Sequence, residues 1–267
     1  MPRVSGIKKI DLQNADMTGE TPRAVRRNRR AIWTALALAG VVGVTNLSVT
    51  TTQGVNFEIT AHRLPLYLKA FEFLDRDAQY RQLASEITRG IASEQDRAVA
   101  VFNWTARRIQ RAPEGWPVID DHILNIIIRG YGLSDQRADV FATLVTYAGL
   151  PAFWQNVKAS GTRDGVVLTF VRVDGRWVVV DVANSLLFRN LRGELASAED
   201  FAANRAILPA AAGSLMTGST PYSRVFTQLR TPPAPRPLRA ELQMPWPRLW
   251  DQTRRAVGYE RVDGSER

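Results

Sequence analysis

No cysteine occurs among the 267 residues. That excludes disulfides, thiolate metal ligands and a cysteine nucleophile. Histidine is nearly as scarce. His62 and His122 stand far apart and show no ligand spacing such as HExxH. A zinc site needs three or four N, O or S ligands, so no metal and no cofactor is expected. The absence of cysteine also suits an envelope protein that avoids oxidation.

What the chain has in excess is positive charge, +9 net with a sequence pI near 10.4. The excess is local. Residues 1–30 hold eight Lys or Arg against three Asp or Glu, more than half of the net charge. This is a basic arm rather than a basic protein. No nucleic-acid recognition motif accompanies it, and a nucleic-acid partner is not expected.

Residues 1–30 read as a basic, disordered cytoplasmic tail. RRNRR at 26–30 then abuts AIWTALALAGVVGVTNLSV at 31–49, which carries no charge. Nineteen such residues approach the roughly 20 that cross a bilayer core, and Trp33 sits near the basic end as an interfacial aromatic does. The stretch is read as a single transmembrane anchor. By the positive-inside rule its N-terminus is cytoplasmic and the rest of the chain extracytoplasmic, periplasmic or at the cell surface. A cleaved signal peptide and a buried soluble helix are the competing readings.

Beyond the anchor, VNFEIT alternates as a strand does. LPLYLKAFEFLDR turns helical, with Leu66, Leu68, Phe71, Phe73 and Leu74 forming an apolar stripe. A helix fits 94–110, with Ser93 as N-cap, Asp96 at N3, and Ala98, Val101, Trp104 and Ile109 toward the core. ILNIII at 123–128 fits a strand or a helical turn equally. Residues 130–141, GYGLSDQRADVF, place a glycine pair and a polar turn before a helix that Gly149 ends. Ser134 lies at that turn, and serine is a favoured N-cap. Strands follow at 151–159, 165–173 and 176–183, the last two joined by Asp174-Gly175, a strong hairpin signal. Helices followed by strands predict an α+β fold with an antiparallel sheet. Residues 184–230 read as decoration, with a helix near 197–206 capped by Ser197 and Asp200. Residues 231–267 read as a Pro-rich tail, since six of the 14 prolines fall between 232 and 247.

RGYGLSDQRADVFATLVTYAGLPAFW, then LTFVRVDGRWVVVDV, resembles the transglutaminase-like superfamily, whose fold is related to papain-type cysteine proteases. The resemblance covers about residues 80–190 of a domain placed at 50–230. It implies a Cys–His–Asp triad. The cysteine position falls on Ser134, the histidine position on Leu168 and the aspartate position on Asp181. The triad is therefore degenerate: serine needs a neighbouring base, leucine takes no proton, and Asp181 has no histidine to orient. Arg137 and Arg172 are candidate partners for Asp181. The former substrate groove would be lined by Ser134, Asp135, Trp154, Phe170 and Asp181.

The expectation is a membrane-anchored, catalytically inactive domain. It would bind a protein, peptide or glycan as a scaffold component in cell-envelope or polysaccharide assembly. The alternative is a hydrolase or acyltransferase that uses Ser134 with a rearranged base, Asp181 or His122. His122 is otherwise expected to pair with Asp120 or Asp121.

Overall fold

A computed structural model describes residues 23–55, 58–117 and 122–256. The tail at 1–22, Asp120, Asp121 and the terminus at 257–267 lie outside the described residues. The chain divides into two units, Met1–Leu47 and Ser48–Arg267.

The first unit contributes one helix, α1 (Arg23–Thr45). It begins inside the stretch read as a disordered tail and stops short of the anchor boundary expected at 49. Polar side chains account for the stop. Thr45 Oγ1 donates to the Val41 carbonyl at 2.9 Å and Asn46 Nδ2 to that of Val42 at 2.8 Å. Residues 48 and 49 are already extended chain. Among the described residues, no helix is long and apolar enough to cross a membrane. The uncharged part of α1, residues 31–45, rises only about 22 Å at 1.5 Å per residue.

The second unit opens with an antiparallel hairpin, β1 (Ser48–Val55) and β2 (Glu58–Pro65), and then α2 (Leu66–Ile87). The apolar stripe read at the start of α2 does not face the core. Leu68, Phe71 and Leu74 are exposed, and the helix buries Asp77, Tyr80 and Ala84 instead. α3 (Glu94–Arg108) starts as expected, with Asp96 N–H donating to Ser93 Oγ at 3.2 Å. Ala98, Val101 and Ile109 are fully buried, and Trp104 packs partly against them. The ambiguous ILNIII run is helical, α4 (Ile123–Arg129).

α5 (Ser134–Tyr147) is the central helix, buried along most of its length. It packs on a four-stranded antiparallel sheet of sequential order: β5 (Ala152–Lys158), β6 (Gly165–Val173), β7 (Arg176–Asp181) and β8 (Leu186–Leu187). Asp174 and Gly175 turn β6 into β7 with φ of 48° and 78°, the left-handed geometry that such a dipeptide favours. The α+β class expected from the sequence is the class observed.

Alternation along the strands splits the core in two. Val171, Val173, Val178 and Val180 face α5, α3 and α4. Val166, Leu168, Phe170 and Val179 face the other way. That second face is covered by the segment after 184, which is thus not decoration. Phe188, Phe201, Tyr222 and Phe226 stack there at centroid distances of 4.8–5.3 Å. Helix α6 (Ala198–Ala203) anchors this layer, capped reciprocally by Ser197 and Asp200.

The Pro-rich segment is no free tail. Leu229, Leu238 and Ala240 are buried, and residues from Pro245 to Ala256 form helix α7. Pro245 occupies the first helical position, where a missing N–H costs nothing.

Candidate functional site

The turn before α5 is built by its neighbours. Gly130 ends α4 in the left-handed region, φ 74°. Two short parallel strands, Gln110–Arg111 and Tyr131–Gly132, hold the turn against the end of α3. At Gly132 an added Cβ would lie 3.1 Å from Gln136 Cβ and 3.3 Å from Ile126 Cγ2, so a side chain there would push these neighbours aside by a few tenths of an ångström. Gln136, itself buried, closes the turn. Its Oε1 accepts from Leu133 N–H at 3.1 Å and from Arg129 Nη2 at 2.7 Å.

Ser134 is therefore not the cap. Leu133 occupies the N-cap position and Gln136 supplies the side-chain oxygen. Ser134 is the first helical residue and is exposed. Its hydroxyl has no hydrogen-bond partner among the described residues. Asp135 Oδ1 accepts from the N–H of Gln136 at 2.9 Å. His122 precedes α4, and Ser134 comes after that helix and the turn at 130–133.

Leu168 has no exposed surface. It lies in the apolar cluster with Phe153, Phe170 and Val179, on the sheet face away from α5. Asp181 has none either. Its Oδ2 accepts from the Tyr222 hydroxyl at 2.5 Å and from Asn184 Nδ2 at 2.8 Å, and its Oδ1 accepts from Asn184 N–H at 2.9 Å. Burial pushes the Asp181 pKa up, and these three hydrogen bonds together with the Arg137 charge oppose that shift. Tyr222 is also pushed up, by burial first and then by the Asp181 carboxyl, so it stays a donor.

Of the two arginines expected to serve Asp181, neither bonds to it. Arg172 is exposed on β6. Arg137 is buried and acts on Asp181 only through its charge. Its Nη1 donates to the Ala183 carbonyl at 2.6 Å and its Nη2 lies 3.3 Å from Ser185 Oγ. Arg137 thereby ties the first turn of α5 to the chain just beyond Asp181.

The expected groove residues do not share one surface. Phe170 stacks on Phe153 at 5.2 Å inside the second core. Trp154 packs on the α5 side, where its Nε1 donates to Asp139 Oδ1 at 3.2 Å. Asp139 is the site feature that sequence reading missed. Its buried carboxylate pairs with Arg239 Nη2 at 2.8 Å, and that guanidinium lies 5.9 Å from the centre of the Trp154 ring. Two turns further along α5, the Tyr147 hydroxyl lies 2.8 Å from Asp77 Oδ1 and 2.9 Å from the Gln243 carbonyl oxygen. Its single proton serves one of them at a time. No metal-binding group of three or more His, Asp or Glu exists among the described residues.

No family model and no curated protein sequence matches the chain. Solved structures similar to it include a candidate cysteine protease from Cytophaga hutchinsonii, with 15% identity and a TM-score of 0.35. That match covers 48% of this chain and 45% of the other. A candidate protease from Parabacteroides distasonis matches at 12% identity and TM-score 0.33, over 51% and 36% of the two chains. A TGase matches at 16% identity and TM-score 0.34, over 50% and 43%. In each case less than half of the other chain is covered.

Proposed function

We propose that this chain is a catalytically inactive, transglutaminase-like protein that works by binding, as a scaffold component in cell-envelope or polysaccharide assembly. The observation that carries the reading is the state of Asp181. Its carboxyl group is enclosed and its two oxygens accept three hydrogen bonds from Tyr222 and Asn184. It thus orients no base. The neighbouring facts agree. Leu168 fills apolar space, and Ser134 stands exposed with no hydrogen-bond partner among the described residues to take its proton.

Attachment to a membrane through α1 is part of the same proposal. Ile32, Trp33, Leu36, Leu38 and Val41 are all more than half exposed, on every side of the helix. A helix that is apolar all round needs a cover. A segment this short spans a bilayer where the membrane thins and the flanking arginines reach out to the headgroups. The N-terminus would then be cytoplasmic and the larger unit extracytoplasmic.

Two assays test this. Ester and amide hydrolysis by the full chain should equal that of Ser134→Ala; a rate that depends on Ser134 would establish the hydrolase reading instead. The expressed protein should stay with membranes through alkaline carbonate washing, and release into the wash would remove the anchor from the account.

A further inference from the structure

A cleft of about 440 Å³ lies between α7, the 234–238 segment and the β6–β7 hairpin. It shares no residue with the Ser134 turn. Arg172 and Trp177 face one another across the hairpin as register partners, and both line the cleft. Arg236 and Trp250 line it from the C-terminal segment. Trp177 is held edge-on by Phe153 at 5.1 Å, while Trp250 is 66% exposed.

The charges of the cleft do not cancel. Of its two carboxylates, Asp251 pairs with Arg255, while Glu241 keeps its charge and accepts from Leu238 N–H at 3.1 Å through Oε2, one anion against two arginines. The Arg172 and Arg236 side chains have no ion-pair or hydrogen-bond partner among the described residues. Arginine presents a planar fork that matches a carboxylate with two parallel hydrogen bonds.

The lining also discriminates between kinds of anion. Pro151, Pro235, Pro237 and Pro247 contribute flat apolar surface and no N–H. β6 lies between β5 and β7, and beyond the hairpin β7 is bridged by Ala196 and Ser197 at Val178 and Val179, so little free edge is left for an added strand. An extended peptide would find few main-chain partners there. A pyranose ring needs none. Its C–H faces can lie on Trp177, Trp250 and the proline rings while its carboxylates meet the arginines.

We propose that this cleft binds a carboxylate-bearing glycan, an oligosaccharide containing uronic acids. The proposal rests on the binding role and gives it a site, and its test fails separately from that of the Ser134 reading. Tetragalacturonate is titrated into the full chain by calorimetry, with its methyl ester and hexaglutamate in parallel. The expected result is saturable binding of the uronate that weakens as salt rises and is at least tenfold weaker for the methyl ester. Arg172→Gln, Arg236→Gln and Trp250→Ala should each weaken it at least tenfold. All three side chains stand on the surface, and unchanged thermal unfolding of each variant verifies its fold. Equal binding of the ester, tighter binding of hexaglutamate, binding indifferent to the three substitutions, or no binding of the uronate would each overturn the proposal.

Discussion

The Tyr222 hydroxyl donates to Asp181 across 2.5 Å, inside a core where neither residue has appreciable exposure. This contact joins the end of β7 to the C-terminal layer that covers the outer face of the sheet. The carboxylate that the family resemblance assigns to orienting a base is here part of the packing between two layers. Its two oxygens accept three hydrogen bonds, one from Tyr222 and two from Asn184.

Tyr222→Phe keeps the ring stack with Phe226 and removes one donor to a buried carboxyl. A hydrogen bond contributes about 0.5–1.5 kcal/mol, and up to ~3 kcal/mol where the acceptor is ionised. Urea denaturation should show a loss of that size at neutral pH. A loss below ~0.5 kcal/mol would mean that the contact is incidental.

Asp181 also makes stability depend on pH with a definite sign. Burial raises its folded pKa above the ordinary carboxylate value of 3.8. Below that value the group is neutral in both states and no ionisation cost arises. As pH climbs past it, the unfolded chain releases its proton first, so the folded state loses ground until its own carboxyl titrates. Asp181→Asn cannot titrate. The stability of the parent minus that of Asp181→Asn, from denaturant curves at stepwise pH, should therefore fall as pH rises above about 4. Taking the difference cancels the opposite trend from Asp164, Glu194 and Asp200, whose pKa values are lowered. A flat or rising difference would contradict the burial argument.

Restoring side chains should not restore chemistry. Leu168→His places an imidazole among Phe153, Phe170 and Val179, where it finds no partner. Burying an unpaired polar group costs about 1–3 kcal/mol and the lost packing adds to it. The variant should melt well below the parent in a thermal scan. Combined with Ser134→Cys it should still hydrolyse no thioester or amide, because position 168 faces away from α5.

The ion pair between Arg239 and Asp139 holds the C-terminal segment on the domain. The Asp139 carboxylate is 3% exposed, and the Arg239 side chain is 55% exposed. Solvent around the arginine tempers the loss, so Arg239→Ala should cost about 1–2 kcal/mol rather than the full penalty of a buried charge. Limited proteolysis should then cut faster between 229 and 244. Unchanged cleavage would mean that Leu229, Leu238 and Ala240 suffice to dock the segment.

The elements around the candidate site were legible where a period or a turn dipeptide marks them. α3, α5 and the β6–β7 hairpin declare themselves through the Ser93 cap, the Gly149 stop and Asp174-Gly175. The second core did not. Tyr222 and Phe226 sit in a 3-10 segment with no helical or strand period, and their partners lie far away in sequence. The stripe on α2 misled because an exposed apolar face has the same spacing as a buried one. Ser134 misled because its residue type suits a cap, whereas the capping oxygen comes from Gln136 two residues later. The docking of the Pro-rich segment rests on single side chains, Arg239 and Leu238, which composition hides.

The central claim, that the Ser134 turn retains a fold without its chemistry, is tested most directly by a fluorophosphonate probe and intact-mass spectrometry on the folded full chain. The account predicts no adduct at Ser134, and the same spectrum for the parent and for Ser134→Ala. A stoichiometric adduct on Ser134, absent from Ser134→Ala, would contradict it.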